Sequence, residues 1–173
     1  MAQTIIDSYS QVYRDSQANI NDVTWGIAQS FLGSGITLSN VQFYLKKYGA
    51  PTGTMTAALY VHTGTFGTSS KPTGSALITS ATVNASSLST TTWSLVTFTF
   101  ALPYPLEAST YYCIALLYSS GTSDKFVYAG YDRTSLLHSG NRSIMNTSSI
   151  WVSDSNDLCF YCYSNQIAGA FIL

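Results

Sequence analysis

Charge is what this 173-residue chain has least of: Asp, Glu, Lys and Arg together make up 9% of it, against about 25% in an ordinary soluble domain. The net charge is −1, and of the seven basic residues only Lys46 and Lys47 are adjacent. That leaves no basic footprint, so nucleic acid is not an expected partner. The two lysines read as a solvated strand end that guards a sheet edge. No run of about 18 apolar residues occurs, so no membrane span is expected. Cysteine is scarce and odd in number, at three residues, which gives no closed disulfide framework and agrees with a reducing compartment. The opening segment MAQTIIDSYSQVYRDSQ lacks the basic start and apolar run of a secretory signal. The expectation is therefore a protein made in the cytoplasm that leaves by assembly or lysis.

Catalytic residues are also sparse. His62 and His138 are the only histidines and Glu107 the only glutamate. No G-x-S-x-G elbow ties a serine to either histidine, so both are expected in surface or loop roles. Asp7, Asp15, Asp22, Asp124, Asp132, Asp154 and Asp157 fall mostly in turn-like contexts, where the side chain bonds nearby backbone amides. Cys159-Phe-Tyr-Cys162 has the text of a zinc knuckle, but residues three apart on an alternating strand face opposite sides, which one metal does not readily bridge. A calcium ion near Asp154 and Asp157 would match no EF-hand spacing. The expectation is a non-enzymatic protein with no cofactor.

What the chain does have is apolar and aromatic material: 46% hydrophobic residues and 14% aromatics, including 13 tyrosines. That suffices for a core without metals or disulfides, under a surface of Ser, Thr, Asn, Gln and Tyr. The pattern is period two. Val41, Phe43 and Leu45 alternate with Gln42, Tyr44 and Lys46, and after the Gly-Ala-Pro-Thr-Gly break Ala57, Leu59 and Val61 alternate with Ala58, Tyr60 and His62. Such alternation between turn signals marks half-buried antiparallel strands. Further strands are expected over 20–31 (a strand pair), 76–83, 93–100, 126–131, 148–152 and 158–163. Thr110 to Tyr118 is apolar on both faces and reads as a central strand, and Pro103 and Pro105 are expected to break the ladder before it. No helical period runs for ten residues. About eight to nine strands at this spacing predict an all-β antiparallel sandwich of jelly-roll type. Residues 1–20 read as an arm or early edge strand, 21–165 as the sandwich, and 166–173 as an apolar tail.

Outward Tyr44, Tyr60, Tyr104, Tyr128, Tyr131 and Trp151 are the candidates for a contact surface, either a glycan platform or a subunit interface, since tyrosine suits both.

Several strings are more specific than any pattern. Ile6-Asp-Ser-Tyr-Ser, Ala28-Gln-Ser-Phe31, LSNVQFYLKK from Leu38, Ala50-Pro-Thr-Gly53 and LYVHTGTFGTSS from Leu59 resemble a β-sandwich module of tailed-phage virion proteins and related phage-derived or cell-surface proteins. So do KPTGSAL from Lys71, Leu95-Val-Thr-Phe98, YYCIAL from Tyr111, His138-Ser-Gly-Asn141 and the run from Asp157 to Tyr163. The likeness covers about residues 6–163 and carries no catalytic residue. It implies a jelly roll on a virion. The first expectation is a capsid decoration (cement) protein, a homo-oligomer with a trimer favoured, held to the major capsid protein or other virion proteins. Terminal residues Ile5, Ile6, Phe171, Ile172 and Leu173 would then bury on neighbours, each contributing about 1.5–3 kcal/mol, multiplied by valency. The alternative is a carbohydrate- or receptor-binding module of a tail fibre or adhesin.

Overall fold

The alternating segments become strands of two antiparallel sheets in a computed structural model that describes residues 3–165. In chain order they are β1 (Gln3–Tyr9), β2 (Ser16–Ile20), β3 (Thr24–Leu32), β4 (Thr37–Tyr48), β5 (Thr54–Thr63), β6 (Lys71–Thr79), β7 (Val83–Asn84), β8 (Ser94–Pro105), β9 (Tyr111–Leu117), β10 (Phe126–Asp132), β11 (Arg142–Asn146), β12 (Trp151–Asp154), β13 (Asp157–Leu158) and β14 (Phe160–Asn165). Fourteen strands exceed the expected eight to nine, largely because single rows of the sandwich are shared by two strands. In the first sheet, one side of β4 pairs with β8 and the other with β14 (Val41↔Cys162) and β10 (Leu45↔Ala129), and β1 and β2 then add outside them. The second sheet runs β12-β11-β3-β9-β5-β6, with β7 on the end of β5. The chain changes sheets at nearly every connection: β2 to β3, β3 to β4, β4 to β5, β6 to β8, β8 to β9 and β9 to β10. That order is a jelly roll, the fold class the sequence predicts.

The inward residues of both sheets make one core. Val41, Phe43, Leu45 and Phe98 from the first sheet meet Ile27, Phe31, Leu59, Ile114 and Leu116 from the second, all of them fully buried. Phe43 and Phe98 pack edge to face at 5.8 Å, a geometry that suits the ring quadrupoles.

Several expectations need correction. Of the arm or early edge strand expected over residues 1–20, the described part takes the edge-strand form: β1 lies along β14 and β2 along β10, with Ile5 half exposed and Ile6 packed against the core. Phe171, Ile172 and Leu173 lie outside the described residues. The segment 20–31, expected as a strand pair, holds one strand, β3, which follows the end of β2 at Ile20 in the other sheet through a turn in which Asn21 Oδ1 accepts from the amides of Val23 and Thr24. Pro103 interrupts the β8 ladder without ending the strand, and Pro105 is its last residue. Between Leu38↔Tyr104 and Asn40↔Thr99 that strand bulges and then pairs again. Because β8 pairs with β4 alone, its prolines withhold no amide from a second neighbour. The loop expected over 64–74 closes early, with β6 beginning at Lys71, and the strand expected at 148–152 begins at Trp151 after a turn with Ser149 at φ 59°. Val61 keeps its inward phase but runs past the end of the core and is 45% exposed.

Candidate functional site

The outer face of the second sheet is built on small residues. Ala28, Cys113 and Ala115, on adjacent strands, are fully buried there and form a second apolar cluster roofed by Tyr60, Leu117 and Trp151. In hydrogen-bonding order β6 and β12 lie at opposite edges, yet the two strands come into contact. The sheet therefore curls over this face and makes it concave. The curl is pinned at one end by Asn141, whose side chain accepts from the Ser70 amide (3.0 Å) and donates to the Ser70 carbonyl (3.1 Å). Gly140 beside it lies so close to β3 that a Cβ would stand 2.0 Å from the Ser30 carbonyl oxygen.

Between the β5–β6 and β11–β12 hairpins this curl leaves a cleft of about 570 Å³. Its aromatic walls are Tyr60 and Trp151, at right-angle-like contact with centroids 6.2 Å apart. Met145, Pro72 and Ile150 extend the apolar wall, while Thr63, Thr73, Ser149 and Lys71 bring hydroxyls and an ammonium to it. Size and mixture suit a small polar ligand with apolar faces. Burial raises the Tyr60 hydroxyl above its ordinary value, so it stays a neutral donor at any physiological pH.

The six residues expected as one surface are dispersed. Two separate pairs gather, Tyr60 with Trp151 and Tyr44 with Tyr128. Tyr44 and Tyr128 lie on the outer face of the first sheet, around Trp93: Tyr44 stacks on that indole at 5.3 Å, and Arg14 and Lys46 sit 4.7 and 5.1 Å from its centroid. Tyr104 turns to the core edge against Tyr112. Tyr131 lies beneath the Arg142 guanidinium, 3.7 Å from its ring centre, so neither it nor Tyr104 faces outward as expected.

The titratable residues gather elsewhere, inside one end of the sandwich. His138, expected in a surface or loop role, belongs to a loop but turns its ring inward. Its Nδ1 accepts from the Gly140 amide (3.0 Å) and lies 3.1 Å from the Gln29 amide nitrogen, and its Nε2 donates to Asp7 (3.2 Å). Gln29 also donates to Asp157 (3.3 Å), and its Oε1 takes the Leu158 amide. Asp132 nearby accepts from the Tyr9 hydroxyl and from the amides of Thr134 and Ser135. Burial raises the Asp157 carboxyl. Burial would raise Asp132 too, but the bonds from Tyr9, Thr134 and Ser135 outweigh it and hold that group at about 2. Both ring nitrogens of His138 are thus engaged by the protein itself. His62 Nε2 lies 2.9 Å from Ser70 Oγ, the one His–Ser pair of this kind among the described residues, but Ser70 is fully buried and its hydroxyl donates to the Thr65 carbonyl. Asp154 pairs with Arg142 rather than with Asp157, and among the described residues no group of three or more His, Cys, Asp or Glu is placed to hold a metal ion.

The Cys159–Cys162 pair departs from simple alternation. The chain leaves the ladder at Cys159, between β13 and β14, so Cys159, Phe160 and Cys162 are all buried in the core. Burial pushes the Cys113 and Cys159 thiols up to about 12 and Cys162 well above its ordinary value. The thiolate is the reactive form, so a thiol-specific disulfide reagent at pH 8 is expected to leave all three free cysteines unlabelled in the folded protein and to titrate all of them in denaturant. Rapid labelling of the folded protein would contradict this packing.

No family model, curated protein or solved structure matches the chain.

Proposed function

We propose that this protein is a non-catalytic virion module that recognises a saccharide in the cleft that Tyr60 and Trp151 line together. The observation that carries the reading is that cleft: two aromatic side chains, seated on buried small residues of the sheet, line it together with hydroxyls. A pyranose presents an apolar C–H face and a polar rim of hydroxyls. The aromatic walls suit the first, and Thr63, Thr73, Ser149 and the Lys71 ammonium suit the second. The engagement of His138 on both nitrogens and the enclosure of Ser70 support a role without turnover. Placement on a virion rests on the sequence resemblance. A glycan array probed with the purified protein is expected to return one class of saccharide, with binding lost in Trp151→Ala. A blank array sinks the reading.

A second reading, capsid decoration by a homo-oligomer on the major capsid protein, draws on exposed apolar side chains along edges and loops: Leu102 at 81%, Val12 at 77%, Leu137 at 67% and Ile5 at 52% exposed. Scattered singly they are ordinary, but Ile5 on the edge strand β1 and Leu102 in the bulge of the edge strand β8 are suited to a neighbouring subunit. Sedimentation with and without purified shells tests it. A trimer that binds shells supports decoration, and a monomer that ignores them removes it.

A further inference from the structure

The cleft does not end at Trp151. A second depression of about 330 Å³ lies on the same face, lined by Trp25, Thr54, Thr56, Leu117, Tyr118 and Ser119. Met145 lines both. Three features join them. The residues Trp151, Met145, Gly26, Leu117 and Thr56 are cross-strand partners in one row across β12, β11, β3, β9 and β5; at ~4.8 Å per strand that row spans about 19 Å. Gly26 sits at its centre, where a Cβ would meet Leu117 Cδ2 at 2.9 Å, Trp151 Cη2 at 3.1 Å and Met145 Cε at 3.2 Å. The glycine thus lets three large side chains lie down on the backbone instead of standing up as a barrier. Finally β3 carries a bulge here, since Met145 pairs with Gly26 but Asn146 pairs with Thr24. Trp25 is the extra residue, and a bulge re-aims a side chain that strict alternation would send to the other face.

We infer that the two depressions are one groove, with Trp151 and Tyr60 at one end and Trp25 at the other, and that its ligand is a saccharide chain several units long rather than a single terminal sugar. This rests on the saccharide reading of the cleft. A groove open at both ends admits a polymer interior, and indoles separated along one row suit successive sugar rings of such a chain. Trp93, on the opposite sheet, takes no part.

The test uses full-length protein carrying Trp93→Phe, so that Trp25 and Trp151 are the only indole reporters left of the three in the chain. Intrinsic fluorescence is titrated with gluco-, manno-, galacto- and N-acetylglucosamine oligosaccharides of one to about six units. The expected result is affinity that climbs with length in one series, by ~10-fold or more from one unit to four, about the worth of one good aromatic contact. Trp25→Ala should erase that climb while leaving the shortest ligands unaffected. Thr54→Arg, which blocks the same end from an exposed strand position, should do likewise and covers the case in which Trp25→Ala misfolds. Affinity that is already complete with a monosaccharide, or a climb indifferent to both substitutions, overturns the extended groove and leaves the cleft reading standing. If no series binds, both fall.

Discussion

Asp132→Ala is expected to destabilise the fold by about 3–5 kcal/mol, since removing a buried carboxylate strands the donors that faced it. Asp132 is fully buried and takes the Tyr9 hydroxyl on one oxygen and the amides of Thr134 and Ser135 on the other. It thereby ties β1, β10 and the loop leading to His138. Asp132→Asn keeps an acceptor for the two amides and should lose only about 1–2 kcal/mol. Chemical denaturation of the three proteins at pH 7 reads the series, and equal losses for alanine and asparagine would sink the account. The pH dependence has a definite sign. Asp132 is held at about 2, below its ordinary 3.8, so its contribution is complete above 3.8 and disappears as pH falls toward 2. Asp157 is raised by burial, so its ionisation costs stability once pH exceeds its folded value, and the cost vanishes below 3.8. Acidification from pH 7 should therefore first relieve Asp157 and only later release Asp132. The part of the acid unfolding limb between 3.8 and 2 belongs to Asp132 and should be missing in Asp132→Asn, which starts less stable at pH 7 and loses less on acidification.

The parts of this fold that could be read from sequence are those where burial alone sets the pattern. β4, β8 and β9 alternate, or are apolar on both faces, because the core lies on one side of them or cover lies on both. β2 (SQANI) and β11 (RSIMN) carry few strand-forming side chains, and their place comes from partners distant in the chain, Gly130↔Gln17 and Arg142↔Gln29. His138 shows the same limit. Its letters, His138-Ser-Gly-Asn, are those of a loop, and only the approach of Gly140 to Ser30 turns the ring inward. The tyrosines expected to form one surface divide between two sheets because alternation gives a side chain's phase along its own strand but not which sheet the strand joins. A signal for the cleft was present in another form. Gly26, Ala28, Ala58, Cys113 and Ala115 are small residues at outward positions of three strands that become neighbours, and a concave face needs such residues where the sheet curls over itself.

Trp151→Ala is expected to weaken saccharide binding by ~30–100-fold, about 2–3 kcal/mol, the scale of an aromatic hot spot in a desolvated pocket. Trp93→Ala, on the other sheet, should change affinity by less than ~2-fold. The contrast matters because both indoles lie among aromatic neighbours, Trp151 against Tyr60 and Trp93 against Tyr44. A loss common to both would point to a general effect on the sandwich. Trp151 also helps to roof the small cluster that holds Cys113, which gives an internal measure of what the substitution does locally. With the indole removed, thiol labelling at Cys113 should accelerate while Cys159 and Cys162, inside the main core, stay protected. Labelling that spreads to all three cysteines would mean unfolding and void the binding result, so Tyr60→Phe supplies the second arm. It keeps the ring that stacks and deletes only the hydroxyl, and should cost ~3–10-fold, roughly one hydrogen bond. If Tyr60→Phe and Trp151→Ala both leave binding intact, the saccharide sits elsewhere, and the aromatic-cationic patch around Trp93, Arg14 and Lys46 becomes the surface to examine.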